Sequence, residues 1–282
     1  MGIVTIASLT VREAVRRRAL LGACLLTLLY LVLFGVGSHY AMADIRSAPR
    51  LLANERLLIV GEILLAGCYG AANIGALLAL FVAASSITQD IEQGTLQAIV
   101  PRPLRRWEIV VGKWLGFAGM LVTYVMVTGL IISLVIYALS GYLSAQIVPG
   151  LVLMALEAVV LLSLGMLLSA LMSGLATGIV GFIVYAAAGV AGMVEQLGRV
   201  IRNQTMIDIG ILSSLVVPSD SVWKMAAYYL QPPRTPGPGD LIGISGPFSV
   251  GTPPSVWMAV YAGVYVLVAL VGACAVFSRR DL

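Results

Sequence analysis

Side chains equipped for covalent chemistry are few in this chain, and they do not gather. Of 282 residues, one is histidine and three are cysteine. His39 is expected in the first external loop, as a solvated residue rather than a ligand. Cys24, Cys68 and Cys274 each fall inside an apolar run, without the paired spacing of a metal site or a disulfide framework, and read as small buried apolar residues. A phosphate-binding loop needs an early glycine and a Gly-Lys-Ser/Thr ending, so that backbone N–H groups and the lysine hold phosphate. Gly112-Lys113 is followed by Trp114 and lacks the earlier glycine. The sequence therefore predicts no catalytic residue, no metal site and no cofactor bound by this chain.

One acid is placed where it could act on charge. Glu157 lies in the middle of an apolar run, about nine residues and ~14 Å along a helix. An ionisable group at that depth costs ~2.5 kcal/mol or more unless it is paired or solvated. Two roles fit: a route for a cation or proton, or a protonated carboxyl hydrogen-bonded to a neighbouring helix. Asn73 is the other polar residue of interest inside a run, lining a cavity or joining two helices.

The elements that must position these residues are membrane helices. Hydrophobic residues make up 60% of the chain and charged ones 11%, against about 25% charged in soluble domains. Six apolar runs are long enough to cross a hydrocarbon core of ~30 Å at ~1.5 Å per residue. They cover about 19–37, 64–87, 115–139, 148–172, 175–194 and 256–277. The runs are continuous rather than alternating, so helices and not barrel strands are expected.

Lys and Arg give the orientation. Ten of the seventeen lie in the N-terminal segment, the segment after the second run and the C-terminus, so both termini are expected in the cytoplasm. The pI of about 9.1 follows from that bias without any nucleic-acid partner. Residues 1–18 read as an amphipathic helix, with Ile3, Ile6, Ala7, Val11, Ala14 and Val15 on one side. Arg12, Glu13, Arg16 and Arg17 are on the other, set to snorkel at lipid headgroups. A generic basic anchor before a first span is the plainer alternative. Ala41-Met-Ala43 is similar to a signal-peptide cleavage site, but the preceding run is longer than the ~7–15 residues of a signal core, so an uncleaved span is expected.

The segment 88–113 is the densest polar stretch between two runs. Gly94-Thr95 suits a bend or helix start, Leu96 and Ile99 give an apolar ridge, and Pro101 and Pro103 bar continuation. Arg102, Arg105 and Arg106 follow, with Trp107 suited to a membrane interface. Taken alone, this is either a short docking helix or a solvated loop obeying the positive-inside rule.

Here the chain resembles the type-2 ABC transporter permeases. Asp90-Ile-Glu-Gln-Gly-Thr-Leu96, Pro101-Arg-Pro103 and Gly112-Lys113 resemble that family's loop between spans two and three. Leu9-Thr-Val-Arg-Glu-Ala-Val-Arg-Arg-Arg18 is similar to its elbow helix, Phe277-Ser-Arg-Arg-Asp281 to its C-terminal ending, and Val217-Pro-Ser-Asp-Ser-Val-Trp-Lys224 to a piece of its last external loop. The resemblance implies an all-α integral membrane protein of one domain, 1–282, in the plasma membrane. It implies that Asp90, Glu92, Gly94, Thr95 and Leu96 contact a separate ATPase subunit, two per complex, which binds ATP and Mg. It also implies a second permease chain, identical or not, and a central path to which Asn73, Tyr185 and Gly189 contribute, with Glu157 a further candidate. Ordinary helix packing remains the alternative for each of these residues. Gly174, Gly178, Gly181, Gly189 and Gly192 similarly suit close helix approach.

The segment 195–255 is expected to be external. It holds two apolar pieces, about 206–217 and 222–230, too short to span and separated by Pro218; they read as short re-entrant helices. After them, 231–254 carries seven of the twelve prolines and reads as an irregular loop or a cap over the exit. Asn203-Gln-Thr205 matches a glycosylation triplet, a pattern common by chance. A carrier or channel driven by an ion gradient is the competing function, but it calls for several intramembrane charges and matched halves, and one mid-span acid stands in their place. A membrane-bound enzyme would need clustered His, Cys or acids, which the sequence lacks.

Overall fold

The computed structural model describes residues 2–16, 18–47, 53–86, 106–233, 248, 250–251 and 255–279. Its described residues form helices and no strands. In chain order these are α1 (Gly2–Arg16), α2 (Arg18–Ser47), α3 (Ala53–Ser86), α4 (Arg106–Ser140), α5 (Ile147–Leu171), α6 (Gly174–Ile201), α7 (Gln204–Val216), α8 (Ser219–Leu230) and α9 (Val256–Arg279). Six of them, α2 to α6 and α9, are long and apolar enough to cross a membrane.

α5 is the centre. Its sequence is apolar on every side, as a helix surrounded by protein requires, and it packs against α3, α4, α6, α8 and α9. Leu161, Leu162 and Met166 are fully buried there. α2, α6 and α9 turn broad apolar faces outward, among them Leu25, Leu29, Ile179, Phe182, Val264 and Val268.

Several helices overrun the apolar runs that identify them. α2 continues to Ser47, so His39 lies inside a helix, exposed and edge-on to Tyr40, and not in an external loop. α3 starts at Ala53, α4 already at Arg106, and α6 reaches Ile201. Hydropathy marks only the stretch that must sit in hydrocarbon, while backbone hydrogen bonding carries a helix onward through polar turns.

α1 packs along the start of α4. Its inward face is Ile3, Ile6, Ala7, Thr10, Val11 and Ala14, and Thr10 and Ala14 are buried. Val15 is a correction to the expected face: at helical spacing it turns away from α4 and is exposed. Arg12 and Glu13 are also exposed. A methyl group at Gly112 would come within 2.8 Å of Ile6, and one at Gly116 within 2.8 Å of the Ala7 carbonyl, so both glycines set how closely α1 seats.

After α6 the chain reverses at Arg202, whose φ of 56° is left-handed. Asn203 caps α7, its side chain accepting from the Met206 N–H. α7 folds back on α6, then Pro218 breaks the path and α8 leaves at 103°. Both short pieces expected from the sequence are helices, joined at the expected proline.

Candidate functional site

A cavity of about 210 Å³ lies between α3, α5, α6 and α8. Asn73, Glu157, Tyr185 and Gly189, singled out from sequence, all line it. They are joined there by Tyr69, Phe182, Met193, Ser219, Asp220 and Trp223. Tyr185 donates its hydroxyl to Asn73 Oδ1 at 3.0 Å, and Asn73 Nδ2 donates to the Tyr69 carbonyl at 2.7 Å, so this amide both joins two helices and faces the cavity. Gly189 presents only backbone; a side chain there would meet open space. Tyr69 stacks obliquely on Trp223 at 5.1 Å and on Phe248 at 5.3 Å, bringing one residue of the proline-rich segment onto the cavity's rim.

Glu157 is the one charged residue of α5 and is 4% exposed. Its Oε2 is buried and accepts no hydrogen bond. The expected hydrogen bond to a neighbouring helix is thus missing from that oxygen, and Ser219 Oγ on the same cavity is also without a hydrogen bond. The Tyr185 hydroxyl goes to Asn73, and Lys224 goes to two other acids.

Those acids are Glu195 and Asp220. Lys224 Nζ lies 2.8 Å from Glu195 Oε2 and 2.6 Å from Asp220 Oδ2, and Glu195 also pairs with Arg199 one turn along α6. Lys224 is 8% exposed and Glu195 5%. The two acids and the lysine, placed by the sequence in an external loop, are therefore core residues. The physical reason is the α6 to α8 fold-back, which carries a short helix inward; the i, i+4 spacing of Asp220 and Lys224 on an apolar helix is the signal that could have found them. A side chain at Gly192 would collide with the Asp220 carboxylate, so the glycine admits α8. Two acids, Asp220 and Glu157, thus line the cavity; Asp220 is ion-paired with Lys224 behind it, and no salt bridge reaches Glu157 among the described residues.

A second feature lies at the segment between α3 and α4. Asp90, Glu92, Gly94, Thr95 and Leu96 are outside the described residues, as is Arg17, and so is the side chain of Arg16. The two helix ends that carry the segment are described. Lys113 Nζ donates to the Ser86 carbonyl at 2.7 Å, tying the start of α4 to the end of α3. Trp114 Nε1 donates to Ser163 Oγ at 2.9 Å, tying α4 to α5. α1 lies against the same stretch of α4 through Gly112 and Gly116. Gly112-Lys113 is thus a packing and clamping pair.

Among the described residues no three His, Cys, Asp or Glu side chains come together as metal ligands. Cys24, Cys68 and Cys274 are free thiols on α2, α3 and α9; Cys68 is buried as expected, whereas Cys24 is exposed and Cys274 half-buried, because α2 and α9 turn apolar faces outward. Comparison with known proteins gives one family match: a model described as ABC-2 family transporter protein matches residues 4–282. No curated protein matches the chain.

Proposed function

Because the chain belongs to the ABC-2 family of transporter proteins, and is thus a multi-pass membrane subunit of an ABC transporter, we propose that it is the permease of an ATP-driven exporter with both termini in the cytoplasm. A separate ATPase, present twice, binds ATP and Mg²⁺ and docks on 88–113, with Asp90, Glu92, Gly94, Thr95 and Leu96 at the contact. A second permease chain completes the path, and Arg12, Glu13, Arg16 and Arg17 hold α1 at the headgroups as the elbow.

The observation that carries this reading is the clamp beneath the loop. Lys113 joins the helices on either side of it, Trp114 braces that joint against α5, and α1 packs along the same stretch of α4. A push on the loop would move α3, α4 and α5 as a unit and so reach Asn73 and Glu157, two walls of the cavity.

Affinity purification of the tagged chain in mild detergent, with an ATPase assay, tests it. A stoichiometric P-loop ATPase should co-purify. Gly94→Trp and Glu92→Lys should cut permease-dependent ATP hydrolysis while leaving membrane insertion intact; normal hydrolysis in both variants would sink the docking role.

A further inference from the structure

We propose that the cavity between α3, α5, α6 and α8 takes a compact organic ammonium cation, with Glu157 as its counter-charge and Tyr69, Phe182, Tyr185 and Trp223 as its walls. Charge is the first argument. Glu195 and Asp220 are satisfied by Lys224 and Arg199, whereas the 96%-buried Glu157 faces the cavity with an oxygen that accepts nothing. A carboxylate in that state needs a cation or a proton.

The lining decides what kind of cation. Four aromatic residues line the cavity, Phe182 at its exposed outer edge, and ring faces attract alkylammonium groups. An alkali or alkaline-earth ion would instead need several oxygens to replace its hydration shell; Asn73 is engaged by Tyr185 and the Tyr69 carbonyl and Asp220 is ion-paired with Lys224, which leaves Glu157 and the Ser219 hydroxyl, too few for such a shell. Anions are disfavoured because Lys224 is held by two carboxylates. Size is the third argument. About 210 Å³ suits a trimethylammonium-sized head and falls short of the ~300–1,000 Å³ of drug-sized pockets. The ammonium group could belong to a free small molecule or to a lipid headgroup.

This names the cargo class for the transport reading and rests on it for direction. Binding is measured on the permease without its ATPase, so a failure of cation recognition and a failure of coupling are told apart. The experiment is equilibrium binding of radiolabelled choline to the purified chain in phosphatidylglycerol nanodiscs, with tetramethylammonium and the uncharged choline isostere 3,3-dimethylbutan-1-ol as competitors. Saturable binding displaced by tetramethylammonium is expected, with the isostere at least ~30-fold weaker. Glu157→Gln, which keeps shape and removes charge, should weaken choline by about 100-fold, and Trp223→Leu by about 10-fold. A melting curve on each variant separates lost binding from lost fold.

Absence of saturable choline binding, equal binding of the isostere, or undiminished binding by a folded Glu157→Gln would each overturn the proposal. Proton uptake on Glu157 in place of choline binding would overturn it in favour of a proton site. Replacing part of the lipid by phosphatidylcholine identifies the source: competition with choline supports a headgroup, and unchanged affinity a free molecule.

Discussion

Two lysines fasten this fold, and they are held in different ways. Lys113 reaches the carbonyl of Ser86 at the C-terminal end of α3, where a helix leaves carbonyls unpaired and its dipole favours a cation. Lys224 is buried between two carboxylates drawn from α6 and α8. The first contact joins two helix ends through a backbone carbonyl. The second concentrates charge in the interior, and a third acid, Glu157, faces the same cavity without a base. One region is built to transmit a push, the other to recognise charge.

Breaking the second lysine should have the largest effect. Lys224→Met leaves Asp220 without its base and Glu195 with Arg199 alone, and should cost about 3–5 kcal/mol, as removal of one partner of a buried pair does. A thermal melt of the purified chain reads this, and adding Asp220→Asn should restore part of the loss. If Lys224→Met melts like the parent, the pair is solvated and the contrast with Lys113 disappears.

The loop base answers to packing. Gly116→Leu forces a side chain into the Ala7 backbone and Thr10 and should cost about 1–3 kcal/mol by overpacking. The same change should reduce permease-dependent ATP hydrolysis, because it pries α1 from the helix that follows the docking segment. A destabilised variant with full ATPase coupling would show that α1 is only an anchor.

How far the sequence reached differs between these regions for a physical reason. Crossing helices are legible because hydrocarbon imposes a length and a composition, and α5 begins and ends within a residue of its apolar run. Glu157 and Asn73 were legible as polar exceptions within such runs, Tyr185 and Gly189 only through the family resemblance, and all four line one cavity. Lys224, Asp220 and Glu195 were not, since in sequence they are ordinary charges beside a proline break. Only the reversal at Arg202 and the 103° bend bring them together. The pairing of Lys113 with Ser86 was likewise out of reach, because it closes over a segment whose length alone says nothing about its ends.

A smaller effect tests whether the cavity wall is rigid. Tyr185→Phe removes the hydroxyl that Asn73 accepts and should cost about 1 kcal/mol, the net value of one hydrogen bond with its partner left behind. The melt should fall slightly. If choline binds, its affinity should fall as well, since the ring that lines the cavity would no longer be held.

The smallest effect is the most discriminating. Glu157→Gln changes the same cluster as Lys224→Met by one charge, yet the two should move stability in opposite directions. Removing Lys224 strands Asp220 and leaves Glu195 with Arg199 alone, whereas removing the charge of Glu157 relieves a carboxylate that has no base. In the absence of any cation, the melting temperature of Glu157→Gln should therefore equal that of the parent or exceed it, by no more than about 1 kcal/mol. Choline should raise the melting temperature of the parent and leave that of the variant unchanged, because a ligand stabilises only the form that binds it. If Glu157→Gln instead loses stability on the scale of Lys224→Met, Glu157 has a structural partner, and the cavity is one more clamp like the base of α4.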